Sequence, residues 1–327
     1  MERRLTFTAY DAGEPGSPAW TERARERWPQ VTSLLTDATW TPEGQAAAMD
    51  MVAEHMPELI PVLDALAAAL DQPGGAACLT GVTLKPFFEF CSQTSVAGAL
   101  VRNYDFDPQY CERVVCRSSY LRPVIGMQEL FWGLLDGMND AGLAVSLTFG
   151  GRLVKGPGFS VLMVIRYLLE TCMSVEQAWQ KLRTLPVCTA QNLTLVDRDQ
   201  ALSVYIGPDM AVARAEDVCV TNHQHAAVPD EQERDTRTRE RLAAIRAAKA
   251  QADAGLAPDP VETIVQALLK PPLYQFDPDS GHGTLYTAAY RPAEGRVSYI
   301  WPAERWEQSF ADFRPGIRTI NGSGAVG

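Results

Sequence analysis

The chain has 327 residues, a net charge of −11 at pH 7 and a sequence pI of about 4.9. An acidic chain without basic clusters argues against binding to nucleic acid or to an anionic membrane surface, and no apolar run is long enough to span a bilayer. Hydrophobic residues make up 46% of the sequence, enough to form a large core in one large or two ordinary domains.

The cysteines and histidines narrow the chemistry further. Seven cysteines are scattered along the chain, and an odd, scattered set predicts reduced thiols in a cytoplasmic protein. Only four histidines are present, which argues against a histidine-rich metal site. The polar start, Met1-Glu2-Arg3-Arg4, predicts no signal peptide.

The first part of the chain, residues 1 to about 80, is predicted to be mostly helical. Ser17-Pro18 and Thr41-Pro42-Glu43 each place a proline at a helix start, directly after a residue that can cap the helix. Gln72-Pro73-Gly74-Gly75 ends this helical segment.

Residues from about 78 to 150 are predicted to form strands. Residues 91–100 and 99–106 are expected to pair as a hairpin around a turn near Ala97-Gly98. Further strands are expected at residues 78–83, 114–116, 120–125 and 143–149, with a polar turn at 137–142 before the last of them.

The remainder alternates between helices and strands. Ser174 and Gln177 have capping-box spacing at the start of a helix. We predict helices at 161–172, 174–182, 231–249 and 258–269, and strands at 191–196, 202–206, 218–221, 284–290 and 297–301. The glycine-rich tail after Phe313 is expected to be loose. The whole pattern predicts an α+β fold in which helices cover β-sheets.

Cys91 is the main candidate for a catalytic residue. The predicted hairpin brings Arg102 and Asp105 near its sulfur, and a nearby cation favours the thiolate, while a carboxylate can hold and orient an amine. Taken alone, a cysteine in this setting is more often a buried structural thiol. Arg102 and Asp105 alone are equally compatible with a structural salt bridge.

The segment from Cys91 to Asp105, which ends in Arg-Asn-Tyr-Asp-Phe, resembles the cysteine N-terminal-nucleophile (Ntn) hydrolases. These include the choloylglycine hydrolases, the penicillin V acylases and, more closely, the acyl-coenzyme A:6-aminopenicillanic acid acyltransferase family. Gly-Met-Asn-Asp-Ala-Gly-Leu-Ala-Val at 137–145 resembles a further family segment. The resemblance continues in the family's order at residues 166–172, 191–194, 220–224 and 285–287, and it covers about residues 80 to 313.

This resemblance implies a four-layer αββα sandwich and self-cleavage between Phe90 and Cys91. Residues 1–90 would be a helical pro-segment or α-chain that ends in a strand, and residues 91–327 the catalytic β-chain, packed together as one structural domain. The new α-amine of Cys91 would be the base, since a free α-amine titrates near ~7.7–8. The acyltransferase has glycine where this chain has Phe90, and a bulky residue there constrains the approach to the carbonyl.

The resemblance also implies roles for individual residues. Cys91 would be the nucleophile, Arg102 would stabilise its thiolate, and Asp105 would orient the α-amine. Asn222 would lie at the oxyanion site. The other oxyanion position falls at Thr148, where choloylglycine hydrolases usually have asparagine or tyrosine.

A second family arginine belongs to a Ser-x-x-Arg motif. Thr236-Arg237-Thr238-Arg239 is the matching segment, with Arg239 in the better register. Arg237 and Arg241 stay open as alternatives, and a solvated helix face accounts for the segment equally well.

The function implied by the resemblance is cleavage of linear C–N amide bonds through a Cys91 thioester. The alternatives are an acyltransferase that passes the acyl group to an amine, and an unprocessed homologue that only binds a ligand. The expected partner is a small acyl amide or acyl thioester, without cofactor, metal, nucleic acid or membrane; a homo-oligomer stays open.

Two other uses of the cysteines and histidines are weaker. His223 or His225 invites a papain-like pairing with a cysteine, and Cys219 and His223 are spaced like metal ligands. Neither arrangement has a matching further ligand or a motif around it.

Overall fold

The computed structural model describes residues 3–85, 90–225, 227–255, 258–277 and 281–322. The α-helices in these ranges are α1 (Pro18–Thr32), α2 (Pro42–His55), α3 (Ile60–Leu70), α4 (Val161–Thr171), α5 (Val175–Leu182), α6 (Asp230–Thr236), α7 (Thr238–Asp253) and α8 (Pro260–Leu268). The strands are β1 (Arg3–Gly13), β2 (Phe90–Val96), β3 (Ala99–Phe106), β4 (Val114–Ser119), β5 (Pro123–Glu129), β6 (Gly133–Asn139), β7 (Ala144–Phe149), β8 (Gln191–Val196), β9 (Ala201–Gly207), β10 (Met210–Arg214), β11 (Gly283–Arg291), β12 (Arg296–Trp301), β13 (Glu304–Ser309) and β14 (Gly316–Gly322).

The strands form two sheets that pack face to face. The larger sheet has nine strands in the order β10-β9-β8-β7-β6-β5-β4-β1-β14, and the smaller has five in the order β13-β12-β11-β3-β2. Strands β2 and β3 contact β7 and β8 across the interface. Helix α4 packs on β5, β6 and β7, while α7 and α8 pack on β2, β3 and β11. The α+β prediction and its αββα layering are confirmed.

Burial of both sheet faces explains the composition of the central strands. Every residue of β6 and β7 is buried, and these strands read as near-continuous runs of apolar or small residues. A charged residue in such a strand has to find a partner inside the protein, because water cannot solvate it there. Asp136 in β6 is such a residue.

The N-terminal segment is less helical than the sequence suggested. Helices α1 and α2 begin as predicted, with Ser17 and Thr41 as caps. However, β1 precedes them as a strand of the large sheet, parallel to β4 and antiparallel to β14. The signal was present in the sequence: Leu5, Phe7 and Ala9 alternate with polar residues and are buried. The tail expected to be loose supplies β14, the partner of β1.

The charged helix predicted at 231–249 is broken in two. Arg237 adopts a left-handed conformation with φ of 50° between α6 and α7. The break lets the first turns of α7 present Thr238 and Arg241 to the interior, where both are buried.

Three smaller predictions are corrected. The strand expected at 218–221 is reduced to a single β-bridge between Gln93 and Val220. The strand expected at 78–83 is wrong, because a 3₁₀ turn over Gly75–Leu79 occupies its start. The polar turn before β7 is shorter than expected, because β6 continues to Asn139. In the ranges given above, none of the helices combines the length and the apolar character required to cross a bilayer.

Candidate active site

The hairpin of β2 and β3 places a cysteine beside an arginine. Ala97 and Gly98, with φ of 49° and 70°, make the two-residue turn that the sequence predicted. Arg102 pairs with Gln93 in the strand register. Gln93 lies two residues after Cys91 and on the same face of β2, so the side chains of Cys91 and Arg102 both lie on the face towards the large sheet. Arg102 Nη2 lies 2.9 Å from Cys91 Sγ, and neither residue is exposed to solvent.

Arg102 is held in place by a carboxylate on the opposite sheet. Its Nη1 donates to Asp136 Oδ2 at 2.8 Å and to the Leu135 carbonyl at 3.2 Å. Its guanidinium carbon lies 5.0 Å from the centre of the Tyr104 ring. Burial alone would lower the pKa of Arg102, but Cys91, Tyr286 and Asp136 raise this pKa above its ordinary value, so the guanidinium stays charged.

Asp136 is itself held by two tyrosines of β11. The Tyr286 hydroxyl donates to Oδ2 at 2.6 Å, and the Tyr290 hydroxyl donates to Oδ1. Tyr299 lies 3.0 Å from the Tyr290 hydroxyl. Burial raises the pKa of all three tyrosines well above the usual range, so they stay protonated. A buried ion pair persists when its remaining hydrogen-bonding capacity is met, as it is here.

The backbone of Cys91 is held at the outer edge of the small sheet, because β2 is its last strand. Its N–H donates to Asn222 Oδ1 at 3.0 Å, and its carbonyl accepts from Arg241 Nη1 at 2.6 Å. Arg241 Nη2 also donates to Asn222 Oδ1, and Asn222 Nδ2 donates to the Phe149 carbonyl at 3.3 Å. Two side chains therefore fix both ends of the residue that carries the sulfur.

Asp105 lies beside the peptide bond that precedes Cys91. It is opposite Phe90 in the strand register. Its carboxylate accepts from the Thr284 hydroxyl at 2.6 Å and from Gln275 Nε2 at 3.1 Å, and it lies 3.7 Å from Arg241 Nη1. Burial raises the pKa of Asp105 to about 6, and Arg241 and Thr284 limit that rise.

Thr148 lies on β7, next to the segment that carries Asn222. Its hydroxyl donates to the Thr221 carbonyl at 3.0 Å and accepts from Asn192 Nδ2 at 3.1 Å. These bonds support the segment that carries Asn222. The structure thus places Thr148 as a neighbour of the segment that holds the nucleophile.

The structure brings Arg241, and not Arg239, to Cys91. The Arg239 side chain is 54% exposed and forms ion pairs with Asp230 and Glu233. Because α7 begins at Thr238 after the helix break, its inward positions are Thr238 and Arg241, three residues apart. The register expected for Arg239 is corrected to Arg241, which was an alternative.

The other cysteine and histidine candidates lie elsewhere. His223 Nδ1 lies 2.9 Å from the Thr238 hydroxyl, and burial lowers the pKa of the imidazole. Cys219 Sγ lies 3.1 Å from the Thr94 hydroxyl. Across the described part of the chain, no group of three His, Cys, Asp or Glu side chains is placed to hold a metal ion.

Sequence reasoning missed the residues that support the cluster, namely Asp136, Tyr290, Thr284 and Gln275. Asp136 had a signal, since it is a lone charge inside the apolar run Leu134-Leu135-Asp136-Gly137-Met138. Its pairing with Arg102 joins positions 34 residues apart on two sheets, and spacing along the chain does not reveal that.

The comparisons with known proteins identify one family model that matches the chain. The model of the acyl-coenzyme A:6-aminopenicillanic acid acyl-transferase family matches residues 91–306, more than half of the chain, and the match begins at Cys91. No curated protein matches the sequence significantly.

Two solved structures of conjugated bile acid hydrolase from Clostridium perfringens are similar in fold. A cysteine-to-alanine mutant has a TM-score of 0.52 and 10% identity, covering 72% of this chain and 97% of that one. An arginine-to-leucine variant has a TM-score of 0.51 and 10% identity, covering 72% and 98%. At this identity the likeness supports the fold alone.

Proposed function

The chain belongs to the acyl-coenzyme A:6-aminopenicillanic acid acyl-transferase family, and from this premise we propose that it is a cysteine N-terminal-nucleophile enzyme. It cleaves itself between Phe90 and Cys91 and then cleaves linear amides through a Cys91 thioester. The observation that carries the proposal is the contact of 2.9 Å between Arg102 Nη2 and Cys91 Sγ. A fixed guanidinium at this distance stabilises the thiolate that has to attack.

Self-cleavage requires the sulfur to attack the carbonyl carbon of Phe90. A bond forms between Cys91 Sγ and this carbon, the bond to the Cys91 nitrogen breaks, and the thiol proton passes to that nitrogen, which becomes an amine. Water then hydrolyses the thioester and leaves a carboxylate on Phe90 and a free thiol on Cys91. The bonds from Cys91 to Asn222 and Arg241 support this step because they fix the nucleophile's backbone.

Turnover of a substrate repeats this chemistry on an external amide. The Cys91 amine, which titrates near ~7.7–8 as a free α-amine, takes the thiol proton and returns it to the leaving amine. In the proposal, Asp105 orients the amine, Arg241 holds the Cys91 carbonyl, and Arg102 stabilises the thiolate. Asn222 Nδ2 is the proposed donor to the oxyanion, and Thr148 positions the Asn222 segment.

The N-terminal chain, residues 1–90, stays bound after cleavage in this proposal. Strand β1 pairs with β4 on one side and β14 on the other, so its removal would break two strand pairings of the large sheet. Water is the default acceptor, because excluding it requires a tailored closed site. The family description names acyl transfer, so an amine acceptor is the second outcome to test.

The test is the intact mass of the purified protein under denaturing conditions. We expect the wild type to appear as two chains divided between Phe90 and Cys91, and Cys91→Ala as one uncut chain. Cys188→Ala is the matched control, because this half-buried cysteine lies away from Arg102 and its loss should leave cleavage intact. An uncut wild type would contradict the proposal. Release of acid or of a new amide from aryl amides, with and without an added amine, then separates hydrolysis from transfer.

A further inference from the structure

The Arg102 guanidinium lies between two groups that can carry negative charge. Its Nη1 donates to the Asp136 carboxylate at 2.8 Å, and its Nη2 lies 2.9 Å from Cys91 Sγ. All three residues are fully buried. A nearby cation stabilises a buried anion, and a second anion nearby destabilises it. The Asp136 carboxylate and a Cys91 thiolate therefore compete for the stabilisation that one guanidinium supplies.

Two tyrosines reduce the charge with which Asp136 competes. Tyr286 donates to Oδ2 at 2.6 Å, and Tyr290 donates to Oδ1. The Tyr299 hydroxyl lies 3.0 Å from that of Tyr290. Because the Tyr290 proton points to the carboxylate, the Tyr299 hydroxyl is the donor to Tyr290. The donors form a relay from Tyr299 through Tyr290 to Asp136, in which each bond polarises the next.

A tyrosine also lies beside the Arg166–Glu170 pair, but it is not bonded to that pair. The centre of the Tyr120 ring lies 5.4 Å from the Arg166 guanidinium carbon. The Tyr120 hydroxyl is buried and has no hydrogen-bond partner among the residues that the structure describes. The structural ion pair thus has a tyrosine nearby without a relay, whereas both oxygens of Asp136 accept tyrosine protons.

Other charged or titratable groups also face this cluster from the surrounding elements. They are Arg241 on α7, Asp105 and Tyr104 on β3, Cys111 after β3, and Cys116 on β4. Helix α4, on the far face of β6, carries the Arg166–Glu170 pair. These groups stay in place when a member of the relay is replaced, so their influence on the sulfur cancels in a comparison of variants.

We propose that Tyr290 and Tyr299 are positioning residues that draw the charge of Asp136 away from Arg102, so that Arg102 is left to stabilise the Cys91 thiolate. The inference rests on the proposed function only for the use of that thiolate, because ionisation of the sulfur is measurable without turnover. It requires opposite effects of two substitutions. Asp136→Asn removes the competing charge and favours the thiolate, whereas Tyr290→Phe leaves more charge on Asp136 and disfavours it.

The test follows the ultraviolet absorbance of the thiolate between about pH 5 and pH 9, where ordinary tyrosines stay protonated. Each protein is compared with its counterpart that also carries Cys91→Ala, so that the other cysteines cancel. The pKa of Cys91 should fall by about one pH unit in Asp136→Asn and rise by about half a pH unit in Tyr290→Phe. Tyr299→Phe should raise it by less. Tyr120→Phe is the matched control and should leave this pKa within about 0.2 pH unit of wild type.

Each outcome decides the inference. No rise in Tyr290→Phe, a rise in Asp136→Asn, an equal rise in Tyr120→Phe, or no ionisation of Cys91 in this range would overturn it. If the relay served stability alone, denaturant unfolding of the variants would change and the titration would not. The two conservative tyrosine variants decide the question even if Asp136→Asn does not fold.

The intact mass of the same samples separates this inference from the proposed function. Each sample is incubated until its mass is constant, and every folded variant that retains Cys91 should reach the chain state of the wild type, since Arg102 and Cys91 are unchanged. A variant that stays uncut beside a cut wild type would overturn the inference. The expected shifts in an uncut wild type and its variants keep the relay and remove the proposed function. A cut wild type without those shifts keeps the function and removes the relay.

Discussion

Two fully buried ion pairs in this molecule look alike in composition and differ in their surroundings. Arg102 pairs with Asp136 at 2.8 Å, and Arg166 pairs with Glu170 at 3.1 Å, with no side-chain exposure in either pair. The Arg166 pair ties α4 to the sheet: Arg166 also donates to the Trp132 carbonyl and to the Ser118 hydroxyl. In the Arg102 pair, Arg102 Nη2 instead lies 2.9 Å from the Cys91 sulfur.

The difference teaches that burial of charge alone does not mark a site. Removing two charges from water is costly, and good geometry with further hydrogen bonds has to offset that cost in either pair. In the α4 pair these bonds go to backbone groups and to the Ser118 hydroxyl; the Leu121 N–H, for example, donates to Glu170 at 2.9 Å. Beside Cys91 one bond goes to a reactive atom, and the protein holds a cation where thiolate charge develops.

Neighbouring thiols sharpen the contrast. Cys116 is also buried in the core, and burial raises its pKa to about 11, although Arg166 lies near enough to lower that value partly. A buried thiol without a directly donating arginine thus stays protonated and inert at neutral pH. Direct contact between Arg102 and Cys91 is what sets Cys91 apart from this thiol.

The largest effect should come from removing the two arginines in parallel. Arg102→Gln and Arg166→Gln each leave a buried carboxylate unpaired, so each should lower the free energy of unfolding by about 3–5 kcal/mol. Only Arg102→Gln should also slow self-cleavage, by about 10²–10³-fold, since the loss of one charge-stabilising donor costs about that much.

The measurement combines denaturant unfolding with the intact mass of each variant over time. Cleavage rates are compared per folded molecule, so that instability alone does not count as a catalytic defect. If Arg166→Gln slows cleavage of the folded protein as much as Arg102→Gln does, the proposed difference in function between the two ion pairs is wrong.

A smaller effect is expected from the two arginines of α7. Arg241 is buried and bonded to the Cys91 carbonyl and to Asn222, whereas Arg239 pairs with acidic residues at the surface. Arg241→Gln should slow self-cleavage about 10-fold or more and destabilise the fold, because partners of a buried charge are left unsatisfied. Arg239→Gln should change the free energy of unfolding by no more than about 0.5 kcal/mol, as is usual for exposed pairs. Equal effects of the two variants in mass and unfolding measurements would restore Arg239 as a candidate.

Much of the fold was predictable, because burial periodicity and turn chemistry act locally. The β2–β3 hairpin follows from alternating residues around Ala97-Gly98, and the start of α5 follows from the capping spacing of Ser174 and Gln177. Strand β1 was missed although its alternation is visible, since the helices that follow dominate the composition of that segment. The break at Arg237 had no local signal, because a left-handed arginine is a conformation that tertiary packing imposes.

The candidate site was predictable only where its partners are near in sequence. Cys91 and Arg102 are brought together by one hairpin, so spacing along the chain indicated them. Asp136 and Arg241 reach the same cluster from another sheet and another layer, and only the packing of those layers brings them there. The sequence favoured Arg239 over Arg241 for the same reason, since the left-handed conformation of Arg237 shifts which positions of α7 point inward.

The last prediction concerns the pH dependence of the third buried pair, Asp105 with Arg241. Burial raises the pKa of Asp105 to about 6 in the folded chain, above the value of ~3.9 for an unfolded aspartate. The folded state therefore binds the Asp105 proton more tightly than the unfolded state does. Below about pH 4 both states hold the proton, and between about pH 4 and pH 6 the unfolded state ionises first, so the contribution of Asp105 to stability falls as pH rises.

This sign is opposite to that of an ordinary salt-bridged carboxylate, and a variant can isolate it. In uncut Cys91→Ala, replacing Asp105 by asparagine removes the titrating group. We compare the free energy of unfolding of the aspartate form with that of the form that also carries Asp105→Asn. The difference in favour of the aspartate form should decrease by about 2 kcal/mol between pH 4 and pH 6. Urea unfolding at several pH values measures it, with Asp64→Asn in the same background as the control, since that aspartate is exposed on α3. An advantage that grows with pH would mean that Arg241 holds Asp105 ionised in the fold. The carboxylate would then be charged well below pH 6.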